Sequence, residues 1–327
     1  MPRDRQARRR VAQSVPSDDD DKAAVPDPGQ WSSSVSGVSL WLAPLDTLHE
    51  GYLMSDSSRH HKAEQQNRAL WDEIAPIHLR AYNEVALLRK GCEVLDDIEL
   101  REVGPIDGKS LLHLQCHIGS DSLAWARHGA VVTGIDFSEK SIACANQLSE
   151  DLKLPATFIH SNIYDLRAVH EGQYDVVYTS KGVLCWLKDL QEWGRIIAHY
   201  LKPGGIFYLM ESHPIMMALE EEKPGEISFT YPYFHKDAPT KWPAGDPDYA
   251  DSDYVATNGS EEWEWAISDI VNALIDAGLQ LEFVNEYEKL FFKLFPSMTT
   301  EDDRWFRCPK YAKKLPLLLT LRARKPS

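Results

Sequence analysis

Ser110-Leu111-Leu112-His113-Leu114-Gln115-Cys116-His117-Ile118-Gly119, followed after a short mixed segment by Val131-Val132-Thr133-Gly134-Ile135-Asp136, is the stretch on which the reading of this chain turns. Leu111, Leu112 and Leu114 form a short apolar run between turn residues, the pattern of a strand buried on both faces. Gly119 ends a tight turn. From Ser120, Leu123, Ala124 and Ala126, with Trp125 beside them, suit a helix that stops at His128-Gly129, a basic residue followed by glycine. A second buried strand runs from Val131 to Ile135 and finishes in Asp136.

A strand, a turn, a helix and a parallel strand ending in an acid form half of a nucleotide-binding sheet, where the acid accepts hydrogen bonds from ribose hydroxyls. Asp136 lies 17 residues after Gly119 and 21 after Gln115, against an expected spacing of about 20. A dinucleotide site needs glycines so that the backbone can approach the pyrophosphate, and here Gln115 and His117 stand at two of those places. NAD and FAD are therefore disfavoured. A nucleoside cofactor without phosphates, such as S-adenosylmethionine, needs less of that close approach.

From about Glu64 to the C-terminus the chain resembles the class I S-adenosylmethionine-dependent methyltransferases of the small-molecule type. Four segments carry the resemblance: Leu-His-Leu-Gln-Cys-His-Ile-Gly (112–119), Thr-Gly-Ile-Asp-Phe-Ser (133–138), Tyr-Asp-Val-Val-Tyr-Thr-Ser (174–180) and Leu-Lys-Pro-Gly-Gly-Ile-Phe-Tyr (201–208). The resemblance implies a doubly wound, Rossmann-like α/β fold with a seven-stranded sheet and a reversed last strand, and S-adenosyl-L-methionine as cofactor. It implies a binding set of His113, Gln115, His117, Gly119, Asp136, Phe137, Asn162, Ile163 and Thr179. The family's usual first-strand acid is here His113, and its first two loop glycines are Gln115 and His117. Only Gly119 is kept, in a loop where the carboxylate and amine of the cofactor lie in the family. Asn162 stands where an Asp often accepts from the adenine amine, and an Asn carbonyl can do the same; it reads equally well as a turn residue.

The rest of the chain fits around this centre. Residues 1–60 read as a disordered leader: Arg8 to Arg10, then Asp18 to Asp21 and Lys22, then Pro- and Ser-rich sequence that cannot bury enough apolar surface to order itself. Asp-Asp-Asp-Asp-Lys resembles an enteropeptidase cleavage sequence, so an engineered leader and a mis-called start are both open, with Met54 a sensible native start. Residues 61–327 read as the methyltransferase domain. Glu64 to Lys90 is helical in pattern, and Pro76 is expected to kink or divide it. The resemblance puts Trp71, His78 or Tyr82 near the sulfonium, with Trp71 as plain core the alternative. Ser138 to Leu152 is a helix capped by Ser138, Phe158 to His160 a third strand and Tyr174 to Ser180 a fourth. A helix through Leu201 leads to a fifth strand, Ile206 to Met210. Residues 212–261 break the alternation, with six prolines and no sustained period, and read as a cap over the acceptor pocket. Trp263 to Ala277 is a helix with Trp263, Ile267, Ile270, Val271, Leu274 and Ile275 inward. The resemblance implies that Leu281 to Tyr287 and Leu315 to Arg322 complete the sheet as a reversed, hairpin-like edge, and Phe291 to Lys314 between them reads as a second pocket wall.

Composition narrows the function. A formal charge of −15 argues against a broad nucleic-acid surface. No run is long enough for a transmembrane helix, and five scattered cysteines without a Cys-x-x-Cys pair suit a reduced, cytoplasmic setting without structural zinc or any other metal. Cys116 in the cofactor turn reads as a small buried thiol rather than a nucleophile. In-line methyl transfer requires nucleophile, methyl and sulfur held in line in a dry site, and aromatic faces favour the sulfonium charge. For a hydroxyl or protonated amine a general base is useful; His213 directly after the fifth strand is the first candidate and His235 in the cap the second, a structural role being open for either. The expected partner is a small-molecule acceptor, of undetermined O, N or C atom. The alternative is a cofactor-binding or interaction protein that has lost catalysis, motivated by Gln115 and His117.

Overall fold

Alternating apolar runs and amphipathic stretches pair up here into one sheet with helices on both faces, because each parallel strand must be covered twice. The computed structural model describes the backbone of residues 46–327 except 236, 246 and 303, and side chains from residue 60 onward, 301 and 302 also excepted. The expected leader therefore lies, up to residue 45, outside the described residues.

The helices are α1 (Asp46–Ala81), α2 (Asn83–Arg89), α3 (Asp97–Val103), α4 (Ser120–Arg127), α5 (Glu139–Leu152), α6 (Leu166–Val169), α7 (Leu190–Tyr200) and α8 (Ile267–Asp276). The first five strands are β1 (Ser110–Leu114), β2 (Val131–Asp136), β3 (Thr157–His160), β4 (Tyr174–Ser180) and β5 (Leu201–Ser212). Two short antiparallel pairs follow, β6 (Leu219–Lys223) with β7 (Glu226–Phe229) and β8 (Thr240–Trp242) with β9 (Ser260–Glu262). Then come β10 (Gln280–Tyr287), the small pair β11 (Thr299–Asp302) and β12 (Trp305–Arg307), and β13 (Leu318–Arg324).

The main sheet has seven strands in the order β10-β13-β5-β4-β1-β2-β3. The last strand, β13, is antiparallel to both of its neighbours, as expected, and it is inserted between β5 and β10. One face packs on α7 and α8 through Trp193, Ile196, Tyr200, Ile270 and Leu274; the other packs on α3 and α4 through Ile98, Trp125, Tyr178 and Tyr208. A Cβ on Gly194 would lie 2.3 Å from the Ala273 carbonyl oxygen, so glycine is what lets α7 come this close to α8.

Four expectations need correction. Pro76 lies inside α1 without dividing it, and the break comes at Tyr82, whose extended backbone starts α2. Side-chain bonds on both sides of the proline, described below, hold the helix in place despite the lost backbone donor. α1 also begins at Asp46 rather than Glu64, since polar residues can continue a helix without an apolar face to announce it. Trp263 is buried but precedes α8, which starts at Ile267 because the Asp269 carboxylate accepts from the Ala266 N–H; Ile275 is 49% exposed. Finally, residues 212–261 are not wholly irregular, for the four strands β6 to β9 order both ends.

Candidate active site

The turn between β1 and α4 sets the geometry. Gln115 and His117 adopt left-handed backbone, with φ of 58° and 49°, and Gly119 follows at 76°. Such conformations cost a side-chain-bearing residue about 1–2 kcal/mol, so the loop keeps the course that glycines would give it without having them. Gly119 itself is obligatory: a Cβ there would meet the Phe158 ring at 2.7 Å. Asp136, at the end of β2, fixes the loop from below, one carboxylate oxygen accepting from the His117 N–H at 2.8 Å and the other from the Ser138 N–H at 2.9 Å. Burial outweighs these bonds and pushes its pKa up to about 6.

Above the carboxyl ends of β1 and β4 opens a cavity of about 590 Å³, within the usual size for a small-molecule site, roughly 300–1,000 Å³. His113, Gln115, Cys116 and His117 form its floor, Trp71 and Tyr82 come from α1 and its end, Trp186 from the segment after β4, and Trp242, Asp248 and Tyr249 from residues 212–261. Phe291, Phe292 and Trp305 supply a further wall, as expected for the segment between β10 and β13. Trp71 meets Trp186 edge to face at 5.3 Å and His117 at 4.8 Å. The Gln115 amide donates to the Val183 carbonyl, while its own carbonyl oxygen is buried without a partner.

A second polar group lies where β4 ends. The Ser180 hydroxyl donates to Asp121, and Lys181, left-handed at φ 66°, turns its ammonium to Glu99 at 2.9 Å and Asp121 at 3.8 Å. Burial opposes that charge, but Asp121 and Glu99 outweigh it and raise the lysine pKa, so Lys181 stays an ammonium. His113 is close by, 2.8 Å from the Ser122 hydroxyl, and burial pushes its pKa down to about 4, so it is neutral near pH 7. The buried Glu211 carboxylate at the end of β5 accepts from the Val183 and Leu184 N–H groups and holds the cavity edge.

α1 is bonded both to the sheet side of the cavity and to residues 212–261. Asp72 accepts from the Ser138 hydroxyl, Glu64 accepts from the Asn162 amide and pairs with Lys188, and Glu73 accepts from Thr257, Asn258 and Tyr254. The fully buried His78 of α1 lies with Nδ1 2.9 Å from His117 Nε2 and Nε2 3.1 Å from Asp248 Oδ2. His117 Nδ1 is in turn 3.0 Å from the Ser141 hydroxyl. Burial, and then His78, hold the His117 pKa well below the ordinary value. Tyr82 stacks on His78 and hydrogen-bonds Tyr249; burial, and then Tyr249, keep it a phenol.

Of the expected binding set, His113, Gln115 and His117 line the cavity and Asp136 lies directly behind His117. Gly119 shapes the turn from outside the cavity wall. Asn162 uses its carbonyl to cap the short turn at Ile163–Asp165, accepting from the Tyr164 N–H, which is the turn role read as its alternative. Ile163 is core, Thr179 is fully buried, and Phe137 presents its carbonyl to His160. The two catalytic candidates do not reach the cavity. His213 points away from it, Nε2 2.7 Å from Glu286, while Nδ1 accepts from the Ile215 N–H. His235 stacks flat on Trp265 at 3.8 Å with Nδ1 2.9 Å from the Glu264 carbonyl. Both ring nitrogens of His213 are thus engaged, and the His235 ring is packed on Trp265. Asp121, Lys181, Asp248 and Tyr249 were not singled out from sequence; Asp121 and Lys181 carried a signal, each lying within two residues of a turn or strand end already recognised.

Part of the chain is similar in sequence to known proteins. A family model described as a methyltransferase domain matches residues 112–209. The ubiquinone biosynthesis O-methyltransferase of Caulobacter vibrioides is 32% identical over 158 residues, which are 47% of this chain and 62% of that protein. The protein of the same name from Escherichia coli K12 / DH10B is 32% identical over 102 residues, 31% of this chain and 42% of that one. The chain thus spans less than two thirds of the length of either relative. A solved S-adenosylmethionine-dependent methyltransferase from Mesorhizobium loti is similar with a TM-score of 0.46 and 21% identity, over 68% of this chain and 94% of that one.

Proposed function

We propose, from the premise that the chain belongs to the class I S-adenosylmethionine-dependent methyltransferases, that it transfers a methyl group in line to a small-molecule acceptor held under the cap. The observation that carries this reading is the cavity on the left-handed loop Gln115–Gly119, with the unpartnered Gln115 carbonyl oxygen in its floor and Asp136 behind it.

The residues suit the cofactor at this end. Gln115 offers an acceptor for the ammonium of its methionine part, and Asp136 is the acid at the end of β2 that accepts from ribose hydroxyls. Asn162 and Ser138, on the nucleoside side, are covered by Glu64 and Asp72 of α1, so α1 must give way there when the nucleoside enters. S-adenosylmethionine, when bound, supplies an electrophilic methyl on a sulfonium sulfur. Trp71 and Trp186 present ring surface that favours a cation within about 6 Å. Tyr82 and Tyr249, joined by a hydrogen bond, are placed to orient a polar group of the acceptor.

A chain with a formal charge of −15 suits a small acceptor better than a nucleic acid, and no helix among the described residues is long and apolar enough to cross a membrane. The O-methyltransferases among the relatives make hydroxylated acceptors the first to screen. Catalysis is favoured over cofactor binding alone because the loop keeps its left-handed course despite Gln115 and His117. The test is transfer of labelled methyl from S-adenosylmethionine to a panel of hydroxyl, amine and carbon acceptors. Labelled product is expected with at least one; cofactor binding without transfer to any would favour the non-catalytic reading.

A further inference from the structure

The chain Asp248–His78–His117–Ser141 joins four separate parts of the molecule: the cap, α1, the cofactor loop and α5. Its hydrogen bonds close consistently. Each ring nitrogen has a partner: His78 Nε2 the Asp248 carboxylate, His78 Nδ1 and His117 Nε2 one another, and His117 Nδ1 the Ser141 hydroxyl. Both nitrogens of both rings are used, so neither imidazole has a lone pair free for a proton from the acceptor. A general-base role is thereby excluded in this geometry, and a role in placement remains.

His117 is also held at its backbone, where the N–H meets Asp136, and it stands at a left-handed position that a bare side chain would not favour. The bond from His78 offsets that cost and fixes the ring against Trp71. Among the described residues the hydrogen bonds link Asp248 to His117 through His78, and Asp248 is itself held by the Ala250 and Asp251 N–H groups.

We propose that His78 is a positioning residue that makes the cap and the cofactor loop one unit, so that Asp248, on the acceptor side, sets cofactor affinity through His78 and His117. The inference rests on the cofactor assignment above and adds a residue-level coupling to it.

The experiment is a calorimetric titration of S-adenosylhomocysteine into the full chain and into Asp248→Ala, His78→Phe and the double variant, together with amide exchange of the ligand-free proteins at residues 115–119. Asp248→Ala alone is expected to weaken binding about fivefold to tenfold, as coupled neighbours do, and to do nothing further in the His78→Phe background. Loop amides should exchange faster in either single variant. A direct contact of Asp248 with the ligand would weaken binding equally in both backgrounds and overturn the proposal, as would unchanged affinity in Asp248→Ala. If the wild type binds no S-adenosylhomocysteine, the cofactor assignment falls, and exchange at 115–119 that is unaltered by Asp248→Ala would remove the positioning role as well.

Discussion

At Asp136 two backbone donors favour the charged carboxylate, yet burial wins and lifts the pKa from 3.8 to about 6. An acid raised in this way binds its proton more tightly folded than unfolded, so the associated stability is full below the unfolded value and is lost as the pH rises through about 6. Urea unfolding from pH 4 to 7 should therefore show wild type losing stability relative to Asp136→Asn across that window; a pH-independent difference between the two would contradict the assignment. Asp136 was legible in the sequence because it combines a residue type, a strand end and a spacing. His213 and His235 were not, since position in the chain does not tell which way a ring points or whether a backbone group has already claimed its nitrogen, the Ile215 N–H for His213 and the Glu264 carbonyl for His235.

Elements were read most securely where burial imposes a period. β1, β2, β4 and α5 were anticipated to within a few residues, and Ser138 does accept from the Ser141 N–H at the start of α5. α1 was harder: beside its buried Leu70, Ile74 and Leu79, much of its hold comes from the acids Glu64, Asp72 and Glu73, whose partners are brought together only by the fold. The same holds for the short helical turn Pro214–Ala218, which His213 caps. His213→Ala should consequently act as loss of a cap, lowering stability by about 0.5–2 kcal/mol while leaving turnover within about twofold. Thermal unfolding and steady-state rates check this, and a turnover loss of a hundredfold with unchanged stability would return His213 to the chemistry.

For the whole molecule, the sheet and its reversed last strand followed from five regularly spaced runs and the resemblance they carried, and the structure has that order. The cavity did not follow in the same way. It is assembled from α1, the β1–α4 turn, the segment after β4, residues 212–261 and the segment after β10, regions with no shared period, so only their aromatic content hinted at a common wall. The most direct test of the account is calorimetric titration of S-adenosylmethionine into the wild-type chain and into Asp136→Ala. One-site binding that the substitution abolishes, or weakens at least a hundredfold, is the predicted result; equal binding by both proteins, or none by the wild type, would contradict the placement of the cofactor at this loop.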